Sequence, residues 1–171
     1  AYANSILISV LEDLNQEPMV RHEAAEALGA IGSPENVKIL VKYQNDPVVE
    51  VAETCQLALE RINWLNNPDS IEEITENPYR SIDPAPPSRS IDIAELKSIL
   101  VNDKLSLFER YRAMFALRNL RTKEAVEALG KGLKCGGALF RHELAFVLGQ
   151  IQDRDSVDDL KATLEDCREN E

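Results

Sequence analysis

Apolar residues recur at helical spacing along most of the chain. In residues 4–14, Ile6, Leu7, Val10, Leu11 and Leu14 form one apolar side. After the turn Asn15-Gln16-Glu17-Pro18, the stripe resumes with Ala24 or Ala25, Leu28 and Ile31. This helix starts at Pro18, a residue suited to a first helical turn, and ends near Gly32-Ser33-Pro34. Residues 35–43 predict a short amphipathic helix through Val37, Ile39 or Leu40, and Tyr43. Asn45-Asp46-Pro47 closes it, with Asp46 placed to cap the next helix. That longer helix, over 48–64, buries Val51, Cys55, Ala58, Leu59 and Ile62. The rhythm then breaks: Pro68, Pro78, Pro84, Pro86 and Pro87 fall within 66–91, five of the chain's eight prolines. Such a segment cannot continue a helix and reads as a linker or an ordered crossing loop. Helical period returns at Asp92 with Ile93, Leu96, Ile99 and Leu100, and continues over 105–120, 123–133, 138–151 and 153–165.

The helices repeat in pairs. Glu17-Pro18-Met19-Val20 aligns with Asp46-Pro47-Val48-Val49, and Leu28 with Leu57, an offset of 29 residues (47 minus 18). In the second half, Tyr111 aligns with His142, Leu117 with Leu148 and Leu120 with Ile151, an offset of 31 (142 minus 111). Two helices per unit, joined by short turns and stacked on the next unit, predict an all-α fold, an α-solenoid of HEAT-like hairpins. The expected organisation is an N-terminal half over 1–65, a proline-rich linker over 66–91 and a C-terminal half over 92–171.

One stretch stands out from this framework. Residues 20–32, V-R-H-E-A-A-E-A-L-G-A-I-G, return at 140–152 as F-R-H-E-L-A-F-V-L-G-Q-I-Q. His22 and His142 are the chain's only histidines, and each is followed by a glutamate, Glu23 and Glu143. Other units carry Val51-Ala52 or Tyr111-Arg112 in the same place, so the solenoid does not require the pair. Neighbouring helical residues lie about 100° apart around the axis, so an imidazole and a carboxylate reach into one groove. Imidazole and carboxylate suit iron, zinc or manganese, but two donors hold a metal poorly and pairs from several repeats would have to converge. No second histidine occurs at i+4, which sets the motif apart from zinc-protease helices. Gly29 and Gly149 occupy the same offset from the two pairs. A mid-helix glycine costs about 1 kcal/mol relative to alanine. Its recurrence predicts that another group approaches the backbone closely there.

The totals narrow the partners. With 19 basic and 30 acidic residues the formal charge is −11. That disfavours nucleic acid and anionic membrane and favours a basic protein or cationic side chain. Cys55, Cys135 and Cys167 form no C-x-x-C pair, and an odd count without a signal peptide points to reduced thiols in the cytoplasm. No apolar run approaches the roughly 18 residues of a membrane span.

The chain's edges extend the pattern. Leu164-Glu165-Asp166 matches Leu11-Glu12-Asp13, so the chain stops just before another His-Glu is due. Ala1-Tyr2 matches Ala145-Phe146 within a His-Glu helix. Both edges predict a fragment holding two pairs of four.

Taken with V-A-E-T-C-Q-L-A, D-P-A-P-P and F-E-R-Y-R-A-M-F-A-L-R-N, the two His-Glu stretches resemble the deoxyhypusine hydroxylases over essentially the whole chain. The resemblance implies a cytoplasmic HEAT-repeat monooxygenase whose four His-Glu pairs hold two irons. It implies O2-dependent hydroxylation of the deoxyhypusine side chain of a translation factor, completing hypusine. Carried over, His22 and His142 are metal ligands, Glu23 is a carboxylate ligand, Glu143 is either a ligand or a catalytic contact to the substrate amine, and Gly29 and Gly149 leave room for substrate or ligand near the metals. With two pairs of four, the fragment is expected to bind iron weakly and not to turn over, and it admits a dimer by exchange of helices. Two readings compete: a metal-free HEAT scaffold that binds a basic protein segment, and a phycobilin-lyase type of repeat protein. The D-P-A-P-P and E-R-Y-R-A-M-F stretches favour the oxygenase.

Overall fold

A computed structural model describes residues 2–68 and 77–167. Among these it contains nine α-helices and no strand. The helices are α1 Tyr2–Glu12, α2 Pro18–Ile31, α3 Val37–Tyr43, α4 Val49–Leu65, α5 Ile93–Leu100, α6 Leu107–Leu120, α7 Lys123–Gly132, α8 Ala138–Ile151 and α9 Val157–Leu164. Single 3-10 turns, Pro34–Asn36 and Arg154–Ser156, lead into α3 and α9. The all-α reading of the sequence holds, and most helix ends fall within two or three residues of the periodicity.

Local chemistry explains those ends. α2 opens on Pro18 and closes on Gly32, whose φ of 70° is the left-handed conformation that glycine adopts without steric cost. At α5, α6 and α7 the side chains of Asp92, Ser106 and Thr122 each accept hydrogen bonds from backbone N–H groups of the first turn. Asp46, expected as a cap, accepts from Val48 N–H in the turn before α4 and also receives the Arg21 guanidinium.

The chain divides into two compact units. The first comprises the described residues up to 68 together with Ser81–Ala85, and the second comprises 77–80 with the described residues from 86 onward. Part of the proline-rich segment is thus folded into the first unit. Ala85 is fully buried, and Arg61 of α4 donates from Nε to the Asp83 carbonyl at 2.9 Å. In the second unit Arg118 donates to the Asn77 side chain at 3.1 Å and stacks over Tyr79, and Ser88 N–H donates to the Arg112 carbonyl. The expectation over residues 69–76 lies outside the described residues.

The core of the first unit is Leu11, Ala25, Leu28, Leu40, Val51, Cys55 and Ile62, from α1 to α4. In the second unit Leu96, Leu100, Tyr111, Phe115, Leu129, Phe140, Leu144 and Leu148 are buried, with Tyr111 edge-on to Phe115 at 6.0 Å. A buried arginine recurs in both. Arg21 Nε donates to Leu11 O at 3.0 Å, and Arg110 Nε donates to Leu100 O at 2.9 Å, each ten residues back. Each guanidinium thereby satisfies a carbonyl at the end of the preceding helix, which lacks an intrahelical partner. Arg21 also pairs with Asp46. Burial alone would push the Asp46 carboxyl up, but the hydrogen bonds from Arg21 and Val48 outweigh it and hold the group below the ordinary carboxylate range.

Gly29 has a packing role. A Cβ there would lie 2.6 Å from Ala58 Cβ and 2.9 Å from Ala58 Cα, so α4 occupies the space that a side chain would need. The close approach expected at the Gly29 backbone is supplied by a neighbouring helix, α4. At Gly149 a Cβ would meet nothing within 4 Å. The two matched glycines therefore predict opposite outcomes. Gly29→Ala is expected to destabilise the chain by about 1–3 kcal/mol through overpacking. Gly149→Ala is expected to stabilise it by up to about 1 kcal/mol through helix propensity. Urea unfolding midpoints of the two variants against the parent chain check both.

Candidate metal centre

The first pair is built where α2 and α4 run side by side in the same direction. His22 lies opposite Thr54 and Gly29 opposite Ala58. His22 is 4 % exposed, and its Nδ1 lies 2.6 Å from Thr54 Oγ1. The Thr54 hydroxyl in turn donates to the Glu50 carbonyl one turn back, at 2.7 Å. The other imidazole nitrogen, Nε2, is 3.8 Å from Glu23 Oε1 and 3.7 Å from Glu26 Oε2. One ring nitrogen and two carboxylates thus converge at the edge of the α2–α4 groove. Arg61 borders the same groove and donates to the Gly29 carbonyl at 2.9 Å. Desolvation on burial, reinforced by the charge of Glu23 and opposed by Arg61, pushes the Glu26 carboxyl up.

The second pair has different surroundings. His142 is exposed on α8 and Glu143 is half-buried. Phe146, 56 % exposed, stands where Glu26 stands in the first copy, and Gly149 faces open space. Arg141 donates to Gly136 O at 2.7 Å within its own helix entry. Each pair belongs to a different unit of the fold.

A family model for HEAT repeats matches residues 1–76, and one for the PBS lyase HEAT-like repeat matches 109–135 and 140–166. A deoxyhypusine hydroxylase of Danio rerio is 58 % identical over 166 residues, covering 96 % of this chain and 54 % of that protein. That of Drosophila melanogaster is 56 % identical over 172 residues, covering 100 % and 56 %. The solved structure of human deoxyhypusine hydroxylase in complex with glycerol superposes with a TM-score of 0.92 at 54 % identity, covering 99 % of this chain and 58 % of that one. The chain is homologous to the deoxyhypusine hydroxylases. It spans about half the length of the curated relatives it matches.

The donor types at the first pair suit a metal, and the tied Nδ1 leaves Nε2 as the nitrogen directed toward the carboxylates. Among the described residues, however, no group of three or more His, Cys, Asp or Glu side chains is arranged to hold a metal ion. The pair fits as part of a ligand set. Two residues of this neighbourhood escape a reading for His-Glu motifs. Glu26 has a local signal, since it lies four residues after His22 on the same helical face, but it is not repeated at Phe146. Thr54 has none, because only the packing of α4 brings it to His22.

Because Glu26 is pushed up in the folded chain, it binds a proton more tightly there than when unfolded. Its contribution is therefore most favourable at low pH and is lost as pH rises from the ordinary carboxylate value through the higher folded one. Glu26→Gln is accordingly expected to raise the thermal midpoint of the metal-free chain at pH 7 and to raise it less at pH 4. Melting curves at the two pH values check the sign.

Proposed function

We propose that the chain forms part of a deoxyhypusine monooxygenase that uses iron and O2 to hydroxylate the deoxyhypusine side chain of a translation factor. The observation that carries the reading is the duplicated His-Glu pair, in a chain homologous to deoxyhypusine hydroxylases, with His22 buried and its Nε2 beside Glu23. Iron, when bound, supplies the electron transfer to O2 that hydroxylation of an unactivated carbon requires and that no side chain provides. Imidazole with carboxylate is a suitable donor set for it.

The chain's own residues divide the work. At the first pair His22 offers a ring nitrogen and Glu23 a carboxylate, and at the second pair His142 offers a ring nitrogen. Glu143 serves as a metal donor beside His142 or as the counter-charge that orients the substrate amine. Framework arginine Arg21, locked between Leu11 O and Asp46, fixes the start of the α2 turn that carries His22-Glu23. The surplus of acidic residues, 30 against 19, draws a cationic side chain toward the protein. The odd cysteine count without a C-x-x-C pair supports a cytoplasmic setting.

The two pairs present here form half of the four that two irons require. Metal analysis after anaerobic loading is therefore expected to find weak, substoichiometric iron on the 171-residue chain and no turnover. His22→Ala and His142→Ala should each lower that affinity at least about tenfold. Two tightly held irons per chain, or iron retained by the double variant, would overturn the proposed ligand set. Glu143→Gln separates its two roles, since loss of iron marks a ligand and loss of substrate binding alone marks an amine contact.

A further inference from the structure

We propose that Thr54 is a positioning residue that fixes His22 as the Nδ1–H tautomer and so presents the Nε2 lone pair to the metal side of the groove. The inference rests on the metal-binding reading for its purpose, but on hydrogen-bond geometry alone for its substance. A threonine hydroxyl carries one proton. The 2.7 Å separation between Thr54 Oγ1 and Glu50 O requires that proton, because a carbonyl oxygen can only accept. Thr54 Oγ1 therefore accepts at its 2.6 Å contact with His22 Nδ1, and that nitrogen must donate. In a neutral imidazole the second nitrogen then holds the lone pair. That nitrogen is Nε2, which lies between the Glu23 and Glu26 carboxylates at 3.8 and 3.7 Å. The chain Glu50 C=O, Thr54 O–H, His22 Nδ1–H has one consistent direction, and it ends with the basic nitrogen pointing at the carboxylates. Outer hydrogen-bond partners of this kind fix both the tautomer and the orientation of a ligating imidazole.

Three features make the arrangement a built one. Thr54 is 2 % exposed and His22 4 %, so neither side chain exchanges its partner for water. Thr54 is bonded back to its own helix, which leaves its hydroxyl one orientation. The close approach of Gly29, two turns beyond His22, to Ala58, one turn beyond Thr54, sets the distance at which Thr54 meets the ring.

The test reads the tautomer directly and needs no metal. The chain holds two histidines, so long-range ¹H–¹⁵N correlation of the metal-free 171-residue chain at pH 8 yields two imidazole patterns, assigned with His142→Gln. His22 is expected to show a protonated Nδ1 and a lone-pair Nε2, and exposed His142 the opposite predominance. In Thr54→Val the His22 pattern is expected to shift toward that of His142, and in Thr54→Ser to stay as in the parent. An Nε2–H tautomer at His22 in the parent chain overturns the proposal by itself, whether or not the valine variant folds. An unchanged pattern in a folded Thr54→Val chain also overturns it. Addition of Co²⁺ separates the two layers. Paramagnetic shifts of the His22 ring protons, weakened about 10–100-fold in apparent affinity by Thr54→Val and restored by Thr54→Ser, are the expected result. No Co²⁺ effect at His22 alongside the Nδ1–H tautomer sinks the metal reading and leaves the positioning of the ring standing.

Discussion

The close contact of α2 with α4 at Gly29 and Ala58 is the constraint on which the geometry of the first His-Glu pair depends. Equivalent positions of successive repeats meet there, and both are small. A Cβ on Gly29 would sit 2.6 Å from Ala58 Cβ, so any larger residue forces the helices apart. Separation by even a fraction of an ångström would stretch the 2.6 Å contact between His22 and Thr54, which lies along the same seam. Stability and site geometry are therefore set by one interhelical distance. The helix propensity given up at Gly29, about 1 kcal/mol, is offset by that packing.

The second unit shows what the same framework does without the contact. Counting from the matched arginines Arg21 and Arg110, Arg118 of α6 falls where Gly29 falls in α2. It is fully buried and reaches Gln150 of α8 at 3.1 Å, with its guanidinium also over the Tyr79 and Phe115 rings. In the histidine slot of α6 stands Tyr111, packed against Phe140 with ring centroids 5.8 Å apart. A seam that holds an imidazole and a hydroxyl in the first unit thus holds a guanidinium and aromatic rings in the second. The His-Glu of α8 lies on a face where Gly149 has no neighbour within 4 Å, so the matched motifs share a sequence but not an environment.

Much of this is legible in the sequence. The 3.6-residue period, Pro18 and Gly32 at the ends of α2, and Asp92 before α5 place the helices because helix boundaries are written in local chemistry. The repeat and the His-Glu duplication are equally local. Gly29 is ambiguous in sequence because a glycine that admits a helix and a glycine that admits a ligand leave the same trace in one dimension. Thr54 leaves no trace at all: its partner is 32 residues away in sequence and is fixed only by the register of two helices. The role of Ser81–Ala85 is hidden for the same reason, since a proline-rich run does not reveal that Ala85 is buried or that Arg61 binds its backbone.

Arg21 and Arg110 each tie a helix to the carbonyl ten residues earlier, and the residue after each is the one that differs, His22 in one unit and Tyr111 in the other. The tether makes that next position a socket of fixed location whose content the fold does not dictate. A unit can hold a hydrogen-bonded imidazole or a packed phenol ring in that socket according to a single residue. Solenoids of this kind can therefore acquire or lose a donor side chain one repeat at a time.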